Sequence, residues 1–262
     1  MTMHITIDGR TVFIGTGGAR PPSDAAKSVV FLHGAAHDHT VWVMPARYFA
    51  RHGYRVIAPD LPGHGRSAPP ALETIDALAD WLARVCDATD VDVAAIVGHS
   101  MGALIAQAFA TRHPLRVRAL ALLGTSVPMA VTERFLAAAK ANDHAATDMA
   151  NGWSHSARAR LGGNPNPGFW MLGTGERLIE RMPPGVHYAD LAACNAYRGD
   201  PSAIAAPTLV IVGDQDQMTP ARAGRDVAAK IANARVVTLA GSGHAMLSER
   251  PNEVLDALIT IV

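Results

Sequence analysis

Cysteine is nearly absent from this chain: Cys86 and Cys194 are the only two in 262 residues. Two thiols cannot build a disulfide framework, and neither stands at metal-ligand spacing with another Cys or His, so both read as small apolar fillers. Charge of one sign is lacking as well, since 23 Lys and Arg balance 23 Asp and Glu. That balance leaves no electrostatic footprint for nucleic acid or an anionic membrane surface. No uninterrupted apolar run reaches membrane-spanning length, and Met1 to Arg10 has neither the charged start nor the apolar stretch of a secretory signal. The expectation is a cytoplasmic protein. What remains is a chain 49% apolar, long enough for one large α/β domain, or one domain with an insertion, around a sizeable core.

The apolar residues alternate between two patterns. Met3 to Ile7 and Thr11 to Ile14 flank Asp8-Gly9, a dipeptide suited to a tight hairpin turn. Ser28 to Leu32, Tyr54 to Ala58, Val91 to Val97, Val117 to Leu123, Pro207 to Val212 and Arg235 to Leu239 are short apolar runs, as in strands covered on both faces. Between them lie helical stretches: Trp42 to His52, Leu72 to Val85 with apolar residues at helical spacing, Ala103 to Ala110, and Glu253 to Val262. Repeated strand and helix implies parallel pairing with right-handed crossovers.

Three stretches carry chemistry. Gly98-His99-Ser100-Met101-Gly102 lies between a strand and an Ala-rich helix. A Ser in that setting sits on a sharp turn, flanked by residues small enough for strand and helix to meet, and its hydroxyl is exposed as a nucleophile. The helix that starts there aims free N–H groups at the same spot. His33-Gly34-Ala35 follows a central strand, and the N–H of Ala35 together with that of Met101 would supply the two donors of an oxyanion hole. His33, His37, Asp38 and His39 crowd together enough to suggest a metal cluster, but no matching second group of ligands stands elsewhere, so no metal is expected. Gly15 to Gly18 leads into Arg20-Pro21-Pro22 instead of a helix and reads as a loop, not a nucleotide cradle. In Pro59 to Ser67 the density of Pro and Gly argues for a shaped backbone path, with Ser67 a remote second candidate nucleophile. Asp214 and Asp216 both have the chemistry to support a histidine.

Taken together, His33-Gly34-Ala35, Asp60-Leu61-Pro62-Gly63-His64-Gly65-Arg66-Ser67, Gly98 to Gly102, Gly213 to Pro220 and Gly241-Ser242-Gly243-His244 resemble the α/β-hydrolase fold superfamily. These motifs span nearly the whole chain in the order nucleophile, acid, histidine. The resemblance implies an α/β architecture with an eight-stranded, mostly parallel sheet, helices on both faces, and a catalytic site at the carboxyl ends of the strands. It implies Ser100 as nucleophile, His244 as general base, and Asp216, four residues before Pro220, as the acid, leaving Asp214 to stabilise its loop. It also implies a helical cap at 125–202 between core segments 1–124 and 203–262. There Val131 to Asn142, His144 to Trp153, Gly175 to Met182 and Ala189 to Arg198 read as helices and Leu161 to Gly168 as irregular backbone, with Gly162 to Gly168 expected to be looser than the sheet.

The expected substrate is a small molecule with a small or medium apolar acyl or alcohol group. The cap inventory of Met149, Trp153, Phe169, Trp170, Met171, Leu172 and Met182 suits such a group, and the candidate pocket residues are His33, Trp42, Trp153, Trp170, Met171 and Met246. An Arg reaching in from the cap (158, 160, 177, 181 or 198) would favour an acidic substrate. Ester hydrolysis through an acyl-enzyme, without metal or cofactor, is the expected reaction. C–C, lactone and amide hydrolysis and cofactor-free perhydrolysis use the same triad, and a receptor that keeps the fold as a binding pocket is the reading of another class. The sequence does not fix the oligomeric state.

Overall fold

A computed structural model describes residues 2–18, 27–163 and 170–262. Eight strands form one sheet: β1 (Thr2–Ile7), β2 (Arg10–Gly15), β3 (Ser28–Leu32), β4 (Arg55–Pro59), β5 (Ala94–His99), β6 (Val117–Leu123), β7 (Thr208–Gly213) and β8 (Ala234–Leu239). Their spatial order is β1-β2-β4-β3-β5-β6-β7-β8. β1, β2 and β4 pair antiparallel, and all pairings from β4 to β8 are parallel. The expected hairpin turn is there, with Asp8 and Gly9 both at positive φ, 50° and 75°.

The central strands are buried on both faces, and the strand period of two sorts their side chains. Val30, Leu32, Ile96, Leu120, Leu122, Val210 and Val212 join one core with residues of α2 (Ile75–Ala88), α3 (Met101–Arg112) and α9 (Ala221–Lys230). Val29, Phe31, Val97, Ala121, Leu123 and Ile211 point the other way, into a core with α1 (Val43–Arg51) and α11 (Pro251–Ile259). Helix starts follow capping chemistry: the Thr74 hydroxyl accepts from Ala77 N at 3.1 Å ahead of α2. Leu72 is therefore left out of the helix expected there.

Between β6 and β7 run α4 (Glu133–Lys140), α5 (His144–Ser154), α6 (Ala157–Arg160), α7 (Met171–Glu180) and α8 (Val186–Ala196), with no strand among the described residues. They have a small apolar core of their own, in which Phe135, Ala139, Ala146, Ala150, Ile179 and Leu191 enclose Ala36 of the β3 loop. Helix α9, the short α6 and α10 (Met246–Glu249) are additions to the expected elements, α7 begins four residues earlier than Gly175, and α8 begins three earlier than Ala189. Phe169 and the irregular backbone expected at Asn164 to Gly168 lie outside the described residues.

The junction of β5 with α3 is the tightest place in the sheet. A Cβ on Gly98 would stand 2.1 Å from Gly102 O, and one on Gly102 would stand 2.2 Å from Leu32 O. Both obstacles are backbone, which no rotamer change can relieve. Between them Ser100 adopts φ 56°, ψ −120°, a conformation worth about 1–3 kcal/mol of strain in a non-glycine residue. The Ser100 N–H donated to Leu123 O at 2.9 Å holds it there. Gly102→Val is expected to cost about 3 kcal/mol or more, above the usual overpacking range, read as a fall in the urea midpoint with the denaturant slope unchanged.

Candidate active site

Two short turns bring the serine and the histidine together at the carboxyl ends of β5, β6, β7 and β8. Ser100 follows β5 directly. His244 follows β8, and its Cε1 would lie 2.9 Å from a Cβ on Gly124, the residue after β6. Ser100 N is bonded to Leu123 O in that same strand end, so serine and imidazole flank the same end of β6. Asp216 follows β7 and meets His244 Nδ1 at 2.8 Å through Oδ2.

The carboxylate is fully engaged. Its Oδ1 accepts from Met218 N and Thr219 N, each at 2.8 Å, and Oδ2 accepts from the Thr219 hydroxyl at 2.8 Å. Burial alone would raise the Asp216 pKa, but the nearby His244 and these donors outweigh it and hold the carboxyl below the usual carboxylate range. Because Oδ2 is an acceptor, His244 carries its proton on Nδ1, which leaves Nε2 as the basic lone pair. That Nε2 is buried and has no hydrogen-bond partner. Asp214 sits elsewhere in the loop and accepts from Gly241 N at 2.7 Å.

Three residues escaped sequence reasoning. His99, inside the pentapeptide, places Nε2 at 2.9 Å from His244 O. Burial, then repulsion from His244, pushes its pKa down to about 3, so it is neutral and donates to that carbonyl. Thr219 bridges Asp216 and His244, its hydroxyl standing 3.2 Å from His244 Nδ1. Glu249 is buried and accepts from Gly243 N at 3.2 Å and Ser156 N at 3.1 Å, tying the histidine loop to the turn before α6. Motif-internal spacing could have suggested His99 and Thr219, which stands three residues after Asp216; Glu249 depends on a contact 93 residues away that no local pattern records.

The β3 loop lies against the serine, since a Cβ on Gly34 would come 3.0 Å from Ser100 Cβ. Among the described residues no hydrogen bond occupies the N–H of Ala35 or that of Met101, the first residue of α3. Ala36, the next residue, has φ 53°. Its N–H donates to Asp190 Oδ2 at 2.8 Å, and the same oxygen stands 2.7 Å from His64 Nε2. His64 Nδ1 stands 3.0 Å from Pro62 O. Burial alone would lower the His64 pKa, but the Asp190 carboxylate outweighs it and the pKa is raised.

The six candidate pocket residues do not share one space. Trp153 packs edge-on against Phe135, ring centres 5.5 Å apart, in the apolar core of α4 to α8 that also touches Ala35 and Met218. Met171 is buried at the start of α7. Met246 lies under the histidine, its Cε 3.5 Å from where a Cβ on Gly124 would be. Three expectations need correction. Trp42 is in the core on the α1 side of the sheet, its ring tilted against Phe31 at 5.1 Å, because a helical turn at His39–Trp42 folds the ring inward. His33 is wholly buried; it donates from Nδ1 to Gly34 O at 2.9 Å and accepts from Leu61 N at 3.0 Å, so it fastens two loops. Trp170 is 68% exposed and leans on Gly173.

Other candidates resolve likewise. Arg158, Arg160, Arg177, Arg181 and Arg198 are all exposed. Ser67 is buried, its hydroxyl donating to Asp60 O at 2.7 Å while it accepts from Phe13 N at 3.0 Å, which makes it a loop staple. Of the four residues crowded after β3, Asp38 and His39 do gather with Asp60, their ligand atoms within 4.8 Å of one another. Backbone N–H groups of Thr40, His39 and Arg66 already occupy those carboxylates at 2.8–2.9 Å. No helix among the described residues is long and apolar enough to cross a membrane. Cys86 and Cys194 are free thiols in the core, and burial pushes the Cys86 pKa up to about 12.

A sheet of this order, with a strained serine at the β5 turn and a histidine after β8, defines an α/β hydrolase. The sequence profile of the alpha/beta hydrolase family matches residues 29–257, and the chain belongs to that family. It is 30% identical to the non-heme chloroperoxidase of Streptomyces lividans, over 98% of each chain. It is 32% identical to the 2-hydroxymuconate semialdehyde hydrolase of Pseudomonas sp. (strain CF600), over 85% of this chain and 82% of that one. In the dihydrolipoyllysine-residue acetyltransferase component of the acetoin cleaving system of Cupriavidus necator, identity is 39% over 119 residues and the match spans 32% of that protein. Among solved structures, Est816, described as an N-acyl homoserine lactone degrading enzyme, superimposes with a TM-score of 0.85 at 26% identity, covering 99% of this chain and all of the other.

Proposed function

We propose that the protein is a serine hydrolase that cleaves carboxylic esters through an acyl-enzyme. The observation that carries this reading is His244: Nδ1 is held by Asp216 at 2.8 Å, while Nε2 is buried, unpartnered and beside the strained Ser100. In this scheme Nε2 takes the hydroxyl proton as Ser100 Oγ attacks the ester carbonyl, and Asp216 stabilises the imidazolium that forms. The tetrahedral oxygen is held by the N–H groups of Ala35 and Met101, each worth about 2.7–4 kcal/mol of barrier. His244 then returns the proton to the leaving alcohol. A water activated by the same nitrogen releases the acid.

Residues 125–202 act as the cap over this site. Met149, Trp153 and Met182 pack against the same small apolar core as Ala35, and Met218 of the Asp216 loop joins them. Flexible thioethers and an aromatic edge suit a small or medium apolar group. All five cap arginines that would have favoured an acidic substrate are exposed.

The test is hydrolysis of p-nitrophenyl esters of increasing chain length, with peptide mapping of a fluorophosphonate adduct. Turnover should peak at a short or medium acyl chain, and the adduct should lie on Ser100. An adduct on any other residue, or no ester turnover alongside cleavage of a dienone substrate, would overturn the ester reading.

A further inference from the structure

The β3 loop presents one N–H, that of Ala35, for catalysis, and both peptide planes on either side of Ala35 are pinned. A trans peptide points its C=O and N–H in opposite directions, so whatever holds the carbonyl also aims the N–H. Gly34 O, in the plane that carries the Ala35 N–H, accepts from His33 Nδ1 at 2.9 Å and His37 N at 3.3 Å. Ala35 O, in the next plane, accepts from His37 Nδ1 at 2.6 Å, and the N–H of that plane, on Ala36, goes to Asp190 at 2.8 Å.

Asp190 is unlike the other anchors. It comes from α8, 154 residues further along the chain, and it is 1% exposed. A buried carboxylate is costly unless it is paired. Its partner is His64, also 1% exposed, at 2.7 Å. With Pro62 O on Nδ1 and the carboxylate on Nε2, both ring nitrogens of His64 face acceptors, as only an imidazolium can satisfy. The neighbouring ring of His33, at 5.0 Å, instead accepts from Leu61 N and so is neutral. Asp60, His37, His187 and Cys194 are the other titratable groups near the pair.

We propose that Asp190, charge-balanced by His64, is a positioning residue that holds the Ala35–Ala36 peptide in its left-handed turn and thereby fixes the oxyanion donor Ala35. Without that acceptor, Ala36 at φ 53° relaxes toward negative φ, because an alanine stays in the left-handed region only under constraint. The Ala35–Ala36 plane turns with it and, through the Ala35 Cα that the two planes share, pulls the Gly34–Ala35 plane and its N–H away from the serine. One consequence is that helix α8, in the segment between β6 and β7, is part of what assembles the oxyanion hole. What the loop does rests on the ester-hydrolysis reading; how it is held does not.

Asp190→Ala is expected to lower kcat for the best ester about 10²-fold with KM within threefold, as for loss of one oxyanion donor. A boronic acid that mimics the tetrahedral state should lose affinity by a similar factor. Asp190→Asn, whose amide oxygen still accepts from Ala36 N, should recover activity to within about tenfold of wild type. Should the orphaned His64 prevent Asp190→Ala from folding, His64→Phe/Asp190→Ala removes both charges, still leaves Ala36 N–H without an acceptor, and carries the same expectation.

Amide hydrogen exchange decides the clamp independently of turnover. Ala36 should be protected in wild type and in Asp190→Asn, and should exchange at least about 10²-fold faster in Asp190→Ala. Fast exchange at Ala36 in wild type, or unchanged exchange in the alanine variant, overturns the clamp. Fast exchange with kcat within threefold overturns its role in positioning. Wild type inactive on every ester would instead sink the ester reading, with the exchange data still deciding how the loop is held.

Discussion

His244→Ala is expected to lower kcat for ester hydrolysis about 10⁴-fold or more, with KM nearly unchanged, and a second substitution, Ser100→Ala, is expected to add little to that loss. At about 1.36 kcal/mol per tenfold change, the single substitution removes more than about 5 kcal/mol of transition-state stabilisation. The size follows from the shape of the site. An alkyl alcohol is far too weak an acid to ionise near neutral pH, so in the proposed scheme Ser100 attacks only while a base takes its proton. Among the described residues His244 Nε2 is the buried ring nitrogen left without a hydrogen-bond partner beside it. Two of the neighbouring imidazoles are already engaged: His99 donates from Nε2 to His244 O, and His33 uses both nitrogens on backbone. In the proposed scheme nucleophile and base act on one proton, so removing either disables the same step and the losses do not multiply. The measurement is a double-mutant cycle on kcat/KM. Multiplicative losses in the double variant would mean that the two residues act in separate steps and that the proton-transfer scheme is wrong.

What could be read from the sequence divides along a physical line. Features enforced by local sterics were legible. Asp8-Gly9 turned the first hairpin because both residues accept positive φ, and the glycines around Ser100 marked the elbow because strand and helix backbones touch there. Strands β3 and β6 were legible to the residue, since a doubly covered strand must be apolar throughout. Helix ends were not, because caps such as Thr74 and Thr132 set them, and those residues look like any loop threonine. The pocket was legible only as a composition. Trp42 and Trp153 are equally good pocket candidates by residue type, yet one packs under the sheet and the other in the core of α4 to α8. The supporting contacts were beyond reach: Asp190 and His64 are 126 residues apart, and Glu249 and Ser156 are 93 apart. No spacing rule connects such pairs, because their contact is a product of the whole fold.

The acid supports a second prediction of comparable size. Asp216→Asn is expected to lower kcat about 10⁴-fold while leaving the fold intact, because hydrogen bonding dictates how the amide must sit. Oδ1 of Asp216 faces two N–H donors, Met218 and Thr219, both at 2.8 Å. An asparagine must therefore place its carbonyl oxygen there and its NH2 where Oδ2 stood. The Thr219 hydroxyl can turn from donor to acceptor and absorb the change. His244 can respond only by presenting Nδ1 as an acceptor, which moves its proton to Nε2, and an imidazole protonated on Nε2 cannot take the proton of Ser100. Thermal midpoints near pH 7 should then differ by only a few degrees. Toward low pH the wild type should lose its advantage in stability. The folded Asp216 pKa lies below that of the unfolded chain, so its contribution is full above about pH 4 and fades as pH falls through the folded value. NMR of the ring nitrogens is the decisive check. An Asp216→Asn protein that is folded, protonated on Nδ1 and still inactive would mean that the carboxylate acts chiefly by its charge on the imidazolium and not by choosing the tautomer.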